Sequence, residues 1–255
     1  MQLIKSQNAV SEVVGYVLIF GIMITSIGLM CIYGFPVLES SQSKIRYQSV
    51  EQGFAVLQSN LDKTAYDQAL VKTTRINVGE GTLSTSKGDH LKLAVNVTNA
   101  TKFQIELDLG LIEYEYGGDS VAYMNGGVFE KQAEYAFIKF PPTIFVYEDL
   151  RNNETIAMIS IIRMESNISS GSGIVTVLSK YNSSDTHVFI ESGGNVILEI
   201  NSSKYADAWE DYFIKMKGSL QNTVIQLERN GNELVITIPF NKVIISENRL
   251  KLELT

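Results

Sequence analysis

Hydrophobic and polar positions are distributed unevenly along the chain, and the most uneven part is an unbroken apolar run near the amino terminus. Residues 13–38 contain no Asp, Glu, Lys, Arg or His, whereas a helix needs only ~20 apolar residues to cross the hydrocarbon layer. A cleaved secretory signal has a shorter apolar region of about 7–15 residues, and a helix in a soluble core normally carries charge on one face. The run therefore predicts one membrane span.

A second helical pattern follows this run. Apolar side chains recur at spacings of three or four residues, which places them on one helical face: Val50, Phe54, Leu57 and Leu61. Because proline kinks or ends a helix, we expect a bend or the exit from the membrane at residues 34–36. The pattern predicts an amphipathic helix over residues 39–66, with its apolar stripe packed on the domain that follows.

From residue 67 onward the hydrophobic period shortens to two, which is typical of half-buried strands. Strands are predicted at 91–97, 103–109, 137–140, 144–147, 156–162, 174–178, 187–190, 196–200, 224–227, 234–238 and 250–254. Turn residues predict hairpins at 117–119, at 125–127 and at Gly193–Gly194. An apolar stripe from Tyr205 to Met216 predicts one helix among the strands.

Together these elements predict the α+β class. A long N-terminal transmembrane helix would continue into an amphipathic helix packed on a large, mainly antiparallel β ectodomain, residues 67–255, with one additional helix. Composition agrees with an exported domain of this kind. The single cysteine, Cys31, lies in the apolar run, so we expect no disulfide in the β domain. A net charge of −7 without any Lys/Arg-rich block argues against nucleic acid as a partner.

Acceptor motifs for N-glycosylation occur only after the span. They begin at Asn96, Asn99, Asn153, Asn167, Asn182 and Asn201. Asn, Ser and Thr are also frequent in turns, so any single motif has an equally good structural explanation. The number of motifs in one polar domain predicts that the domain lies outside the cell, with the protein in the cell membrane as a single-pass glycoprotein.

The sequence contains no catalytic signature, and we expect a protein without enzymatic activity or cofactor. Residues 79–84 begin like a dinucleotide loop but have Ser84 in place of the third glycine. Residues 170–173 do not form a nucleophile elbow. Both segments are predicted to be turns. The two histidines, His90 and His187, have no His or Cys near them in sequence, which argues against zinc.

Two pairs of carboxylates are the remaining candidates for chemistry. Glu106 and Asp108 share one strand face, and Glu113 and Glu115 share one face of the next strand. A bend near Gly110 would bring the pairs across from each other, where a Ca²⁺ ion would relieve their repulsion. The simpler interpretation, which we favour, is two solvated faces with the charges splayed apart.

The amino terminus resembles that of archaeal type IV pilin-like proteins, which carry a class III signal peptide. The resemblance rests on Ala9-Val10-Ser11-Glu12-Val13-Val14-Gly15 at the start of the apolar run. It extends over residues 5–38 and is closest to an uncharacterised archaeal pilin-like surface-protein family that begins Ala-Val-Ser-Glu. In archaeal type IV pilin-like proteins a prepilin-type peptidase cuts on the cytoplasmic side. The resemblance therefore implies a leader at residues 1–9, cleavage between Ala9 and Val10, and a retained transmembrane helix at residues 10–38.

After such a cut Glu12 would be the third residue. It would either pair with the amine of its own or a neighbouring subunit or lie at the membrane interface. The resemblance implies a structural or interaction role, as a minor pilin or a surface adhesion subunit. The implied partners are membrane lipid, the prepilin-type peptidase and other pilin-like subunits. The alternative is a signal-anchored exported enzyme or a solute-binding ectodomain.

Overall fold

A computed structural model of the protein describes residues 5–97 and 100–255. The chain divides into two compact units, one ending at Gln48 and the other comprising Ser49–Thr255. Three α-helices are present in the described residues: α1 at Lys5–Leu29, α2 at Phe35–Tyr66 and α3 at Ala206–Ser219.

The N-terminal unit is helical. Between α1 and α2, Met30–Gly34 forms a π-helical turn, next to Pro36, which has no N–H to donate to the carbonyl four residues before it. Val13–Gly34 is the one helical segment of the described residues that is long and apolar enough to cross a membrane. The large apolar side chains from Val13 to Leu38 are more than half exposed, which is the all-round apolar surface expected of a helix surrounded by lipid.

The second unit contains twelve strands. Their bounds are β1 Val71–Ser86, β2 His90–Val97, β3 Ala100–Asp108, β4 Leu111–Tyr116, β5 Asp119–Met124, β6 Gly127–Gln132, β7 Tyr135–Phe140, β8 Ile144–Asp149, β9 Glu154–Ser166, β10 Ser170–Asn201, β11 Gln226–Asn230 and β12 Glu233–Leu254. Within the described residues every pairing is antiparallel except that of β9 with β12. The predicted α+β class with a mainly antiparallel sheet is therefore confirmed.

Two long strands organise this sheet. The strand order is β7-β6-β5-β4-β1-β10-β12-β9-β8, with β2 and β3 added beside β10 and β11 beside β12. The first half of β10 pairs with β1, and its second half, from Asn195, pairs with β2. Because β10 and β12 stay paired along nearly their whole length, they carry both groups of strands.

The hairpin predicted around Gly193–Gly194 is wrong. Residues 187–190 and 196–200 belong to the single strand β10, and both pair with β12. The register shifts between Ile190 and Gly194, so the glycines mark a bulge rather than a reversal of the chain. A Cβ atom on Gly194 would lie 2.5 Å from the ring of Phe240 on β12, which explains why glycine is needed there.

The turns predicted at residues 79–84 and 170–173 are also wrong. The first segment lies in β1 and the second opens β10, and they pair with each other at Gly79–Gly173 and Leu83–Gly171. The register shifts on both sides of Gly79. Glycines that suggest turns in the sequence therefore serve again as irregularities within paired strands.

The principal core encloses α3. Trp209 and Phe213 of this helix are fully buried among apolar side chains of β2, β6, β10 and β12, and the Trp209 ring centroid lies 5.1 Å from that of Phe129. The stripe predicted on α2 is buried as well, with Val50, Phe54, Leu57 and Leu61 at most 1% exposed.

Polar side chains of α2 reach the strands from the same end of the helix. Asn60 Nδ2 donates to Thr74 Oγ1 on β1 at 2.9 Å, and the Thr64 and Ser179 hydroxyls lie 3.0 Å apart. Gln58 Nε2 donates to the Gly126 carbonyl in the β5–β6 turn at 2.6 Å. These contacts all involve α2 residues of the second unit.

Candidate functional site

A buried polar cluster lies where α3 meets the sheet. Asp89, in the connection between β1 and β2, accepts a hydrogen bond from Trp209 Nε1 at 2.8 Å. The Tyr205 hydroxyl, just before α3, donates to Glu113 on β4 and lies 3.0 Å from Ser120 Oγ on β5. The cluster therefore connects α3 to three separate segments of the sheet.

The cation that pairs with the carboxylates of this cluster is Lys204. Lys204 Nζ lies 2.7 Å from Glu113 Oε1 and also pairs with Glu115. Burial raises the pKa of Asp89 to about 6, against the hydrogen bonds from Trp209 and Ser202, which lower it. Burial, followed by the charge of Glu113, raises the pKa of Tyr205 far above its ordinary value. The cluster thus contains Glu113 and Glu115 paired with one lysine, and Asp89, which takes up a proton at higher pH than an ordinary aspartate does.

Because the hydrogen bonds of this cluster are made between groups of the chain, we assign it a structural role in holding α3. It joins side chains far apart in sequence. Of these, only Glu113 and Glu115 are candidates for chemistry in the sequence alone. Only these two could be predicted to lie together, because they occupy alternate positions on β4 and therefore share a face. Asp89, Lys204 and Tyr205 carry no local pattern that would reveal their partners.

The two carboxylate pairs have separate partners in the structure, a histidine for one and a lysine for the other. His90 on β2 lies between Glu106 and Asp108 of β3, with Nε2 3.1 Å from Glu106 Oε1 and Nδ1 2.9 Å from Asp108 Oδ1. The hydrogen bond with Asp108 is the main cause of a raised His90 pKa. Glu113 instead turns to Lys204, as described above. Among the residues the structure describes, no group of three His, Cys, Asp or Glu side chains is placed to hold a metal ion.

A cavity of about 200 Å³ lies between the β8–β9 turn and the connection from α3 to β11. Glu148 at its wall accepts backbone N–H groups of Gln221, Asn222 and Thr223. These bonds, with that of Gln221 first, lower the Glu148 pKa to about 2. The neighbouring Asp149 accepts from the Arg151 N–H at 3.0 Å and from Asn152 at 2.8 Å. Two of the three carboxylates that line this cavity, Glu148 and Asp149, are thus engaged by the chain itself.

The predicted processing and glycosylation residues fall on different parts of the chain. The helix α1 includes Ala9, Val10 and Glu12, but the structure does not describe their side chains. Asn99 lies outside them as well. The other acceptor positions are accessible: Asn153, Asn167, Asn182 and Asn201 are exposed, and Asn96 is half-buried.

The raised pKa of Asp89 predicts a pH effect on stability. A folded-state pKa of about 6 against 3.8 when unfolded means that this group stabilises the fold fully below about pH 4, and that the contribution is lost as the pH rises through 6. We expect Asp89→Asn to gain about 2 kcal/mol relative to the wild type between about pH 4 and about pH 7, measured by urea unfolding in detergent. Asp67→Asn, at an exposed site, is the control and should show no such difference. An equal pH response in Asp89→Asn and wild type would contradict the assignment.

Comparison with known proteins gives one similar protein, one similar structure and one family. An uncharacterized protein of Archaeoglobus fulgidus is 22% identical over 227 residues, covering 82% of this chain and 82% of that protein. The crystal structure of ywiB protein from Bacillus subtilis is 9% identical, covers 69% of this chain and 97% of that one, and has a TM-score of 0.12. A family model described as a family of unknown function, DUF7289, matches residues 8–252. This chain, from its apolar helix to its last strand, belongs to the DUF7289 family.

Proposed function

We propose that the protein is a membrane-anchored, pilin-like surface protein with a structural or interaction role, as a minor pilin or an adhesion subunit. The observation that carries the proposal is the position of the apolar helix Val13–Gly34 directly behind Ala9-Val10-Ser11-Glu12. Helix and β unit both fall within the family match of residues 8–252. Because one family match covers the apolar helix and the β unit together, we infer that the helix is a permanent part of the protein rather than a removed signal.

In this proposal the part of α2 from Ser49 onward is a structural element of the β unit. Support comes from the buried stripe that includes Phe54 and from the hydrogen bonds of Asn60 and Thr64 to β1 and β10.

In this proposal the β unit faces outward and presents its surface to partners. The exposed acceptors Asn153, Asn167, Asn182 and Asn201 suit an exported glycoprotein. The second candidate function is an exported enzyme or solute-binding ectodomain, for which the cavity beside Glu148 is the place to look. We favour the interaction role because Glu148 and Asp149 already accept hydrogen bonds from backbone N–H groups of the chain.

Topology is tested in an archaeal host that glycosylates exported proteins. Protease added to whole cells should remove the β unit, and the mass of the intact protein should exceed the sequence mass by glycan. Asn153→Gln should remove the added mass from its peptide, whereas the matched control Asn152→Gln, outside any acceptor motif, should leave it. Protection from protease together with an unmodified mass would contradict an outward-facing domain.

A further inference from the structure

The middle of β10 is an open edge of the sheet. Ser183–Ile190 pairs with β12 on one side. On the other side, pairing with β1 ends at Lys180 and pairing with β2 begins only at Asn195. Within the described residues this segment therefore has a strand partner on one side only, and a row of backbone N–H and C=O groups faces outward.

This edge lacks two of the residue types that usually prevent edge-to-edge association. It contains no proline and no lysine, which are common protective residues on edge strands. Its side chains are mostly exposed, with Val188 at 52% and Ile190 at 71%. Val188 also begins an apolar row across three further strands, through Ile244 and Met158 to Phe145. An open edge of this kind is a surface for addition of another strand.

We propose that the edge Ser183–Phe189 binds the same edge of a second copy of this chain, antiparallel and about a twofold axis at Thr186. The charges decide the occupant and the register. With Thr186 opposite itself, Asp185 of each copy lies opposite His187 of the other, and the two form a complementary pair. A register centred on Asp185 would oppose two carboxylates, and one centred on His187 would oppose two imidazoles.

Other features of the edge fit this arrangement. Register shifts between Tyr181 and Ser183 and after Ile190 mark the two ends of a regular segment. Thr186 is the middle residue of its first seven residues, Ser183–Phe189. On the face shared with Asp185, the His187 ring contacts the Phe103 ring at 4.5 Å between centroids, which restricts the imidazole. The twofold contact is isologous and closes after two copies. The inference rests on the β unit and is independent of the proposed membrane topology and processing.

Disulfide cross-linking of the full chain tests the contact. Cys31 is the only cysteine, so the background is Cys31→Ser. Thr186→Cys would place two thiols across the axis, where opposed Cβ atoms about 4.5–5.5 Å apart can be joined after a small shift. The matched control is Ser184→Cys, exposed on the same strand and face. Its two copies would be about 14 Å apart at ~3.4 Å per residue, beyond disulfide reach.

Mild oxidation in membranes or detergent should therefore give a covalent dimer with Thr186→Cys and little with Ser184→Cys. Adding Asp185→Lys should weaken association about tenfold, because a carboxylate that can accept a hydrogen bond from the His187 ring is lost at both symmetry-related positions. The charge swap Asp185→Lys with His187→Asp should restore the dimer. Equal cross-linking at 184 and 186, no cross-linking at 186, or a charge swap that restores nothing while the chain stays folded would each overturn the proposal.

Discussion

Replacing Phe54 by Asp should destabilise the β unit more than any other single change on α2. Phe54 is fully buried, and truncating a buried Phe costs about 3–5 kcal/mol before any charge is considered. The carboxylate adds the cost of burying an unpaired polar group. We expect the melting temperature of the full chain in detergent to fall by about 10 °C or more, since 1 kcal/mol corresponds to about 2–4 °C for a domain of this size.

The matched control lies two residues along the same helix. Val56 is 55% exposed, so Val56→Asp introduces the same group without burying it and should change stability by less than about 0.5 kcal/mol. Circular dichroism at a β-sheet wavelength follows both variants. Similar melting curves for the Phe54 and Val56 variants would mean that the stripe of α2 does not support the β unit.

Truncation of Trp209 should have the second largest effect. Trp209→Ala removes a fully buried ring from the centre of the principal core, at a cost of about 3–5 kcal/mol. It also removes the N–H that Asp89 accepts at 2.8 Å, and a buried acceptor left without its donor costs about 1–3 kcal/mol. We expect a chain that unfolds at much lower urea concentration or accumulates unfolded.

Two further variants separate packing from hydrogen bonding. Trp209→Phe keeps most of the ring contacts but loses the donor, so it should cost about 1–3 kcal/mol. Ile214→Ala, on the exposed face of the same helix at 51% exposure, should have little effect. Because Trp209 is the only tryptophan, its fluorescence reports unfolding of this core directly in the wild type. A Trp209→Ala chain as stable as the Ile214 variant would contradict the assigned core.

Much of the fold could be predicted from the spacing of apolar residues and from turn residues in the sequence. The four-three-four spacing of the α2 stripe identified residues that the structure buries. The turns at residues 117–118 and 125–126 join β4 to β5 and β5 to β6, as the turn residues predict. In each case the determining interactions lie within a few residues of the chain, so sequence spacing is sufficient to predict them.

The long strands could not be predicted in the same way. Gly193–Gly194 has the composition of a hairpin turn, and what makes it a bulge is continuous pairing of both flanks with β12, including Gly194 against Phe240. β1 was missed because Gly79 and Gly81 interrupt its alternation, although Gly81 leaves space that the Tyr114 ring fills. These outcomes depend on residues far away along the chain.

The buried cluster was predictable only in part for the same reason. The alternation of Glu113 and Glu115 on one strand gave two carboxylates on one face, but their cation, Lys204, lies after the tenth strand. Likewise the contact of Asp89 with Trp209 spans 120 residues of sequence. Spacing identifies which side chains share a face, whereas tertiary structure decides which groups they meet.

The central claim is tested most directly by the amino-terminal residue of the membrane-bound protein. When the full chain is co-expressed with an archaeal prepilin peptidase, we expect it to begin at Val10, with the apolar helix retained. Ala9→Leu should block the change in mass, and Gln2→Leu, within the leader but away from the cut, should not. With the peptidase active on a control substrate, a protein that still begins at Met1, or one that has lost the helix Val13–Gly34, would contradict the pilin-like assignment.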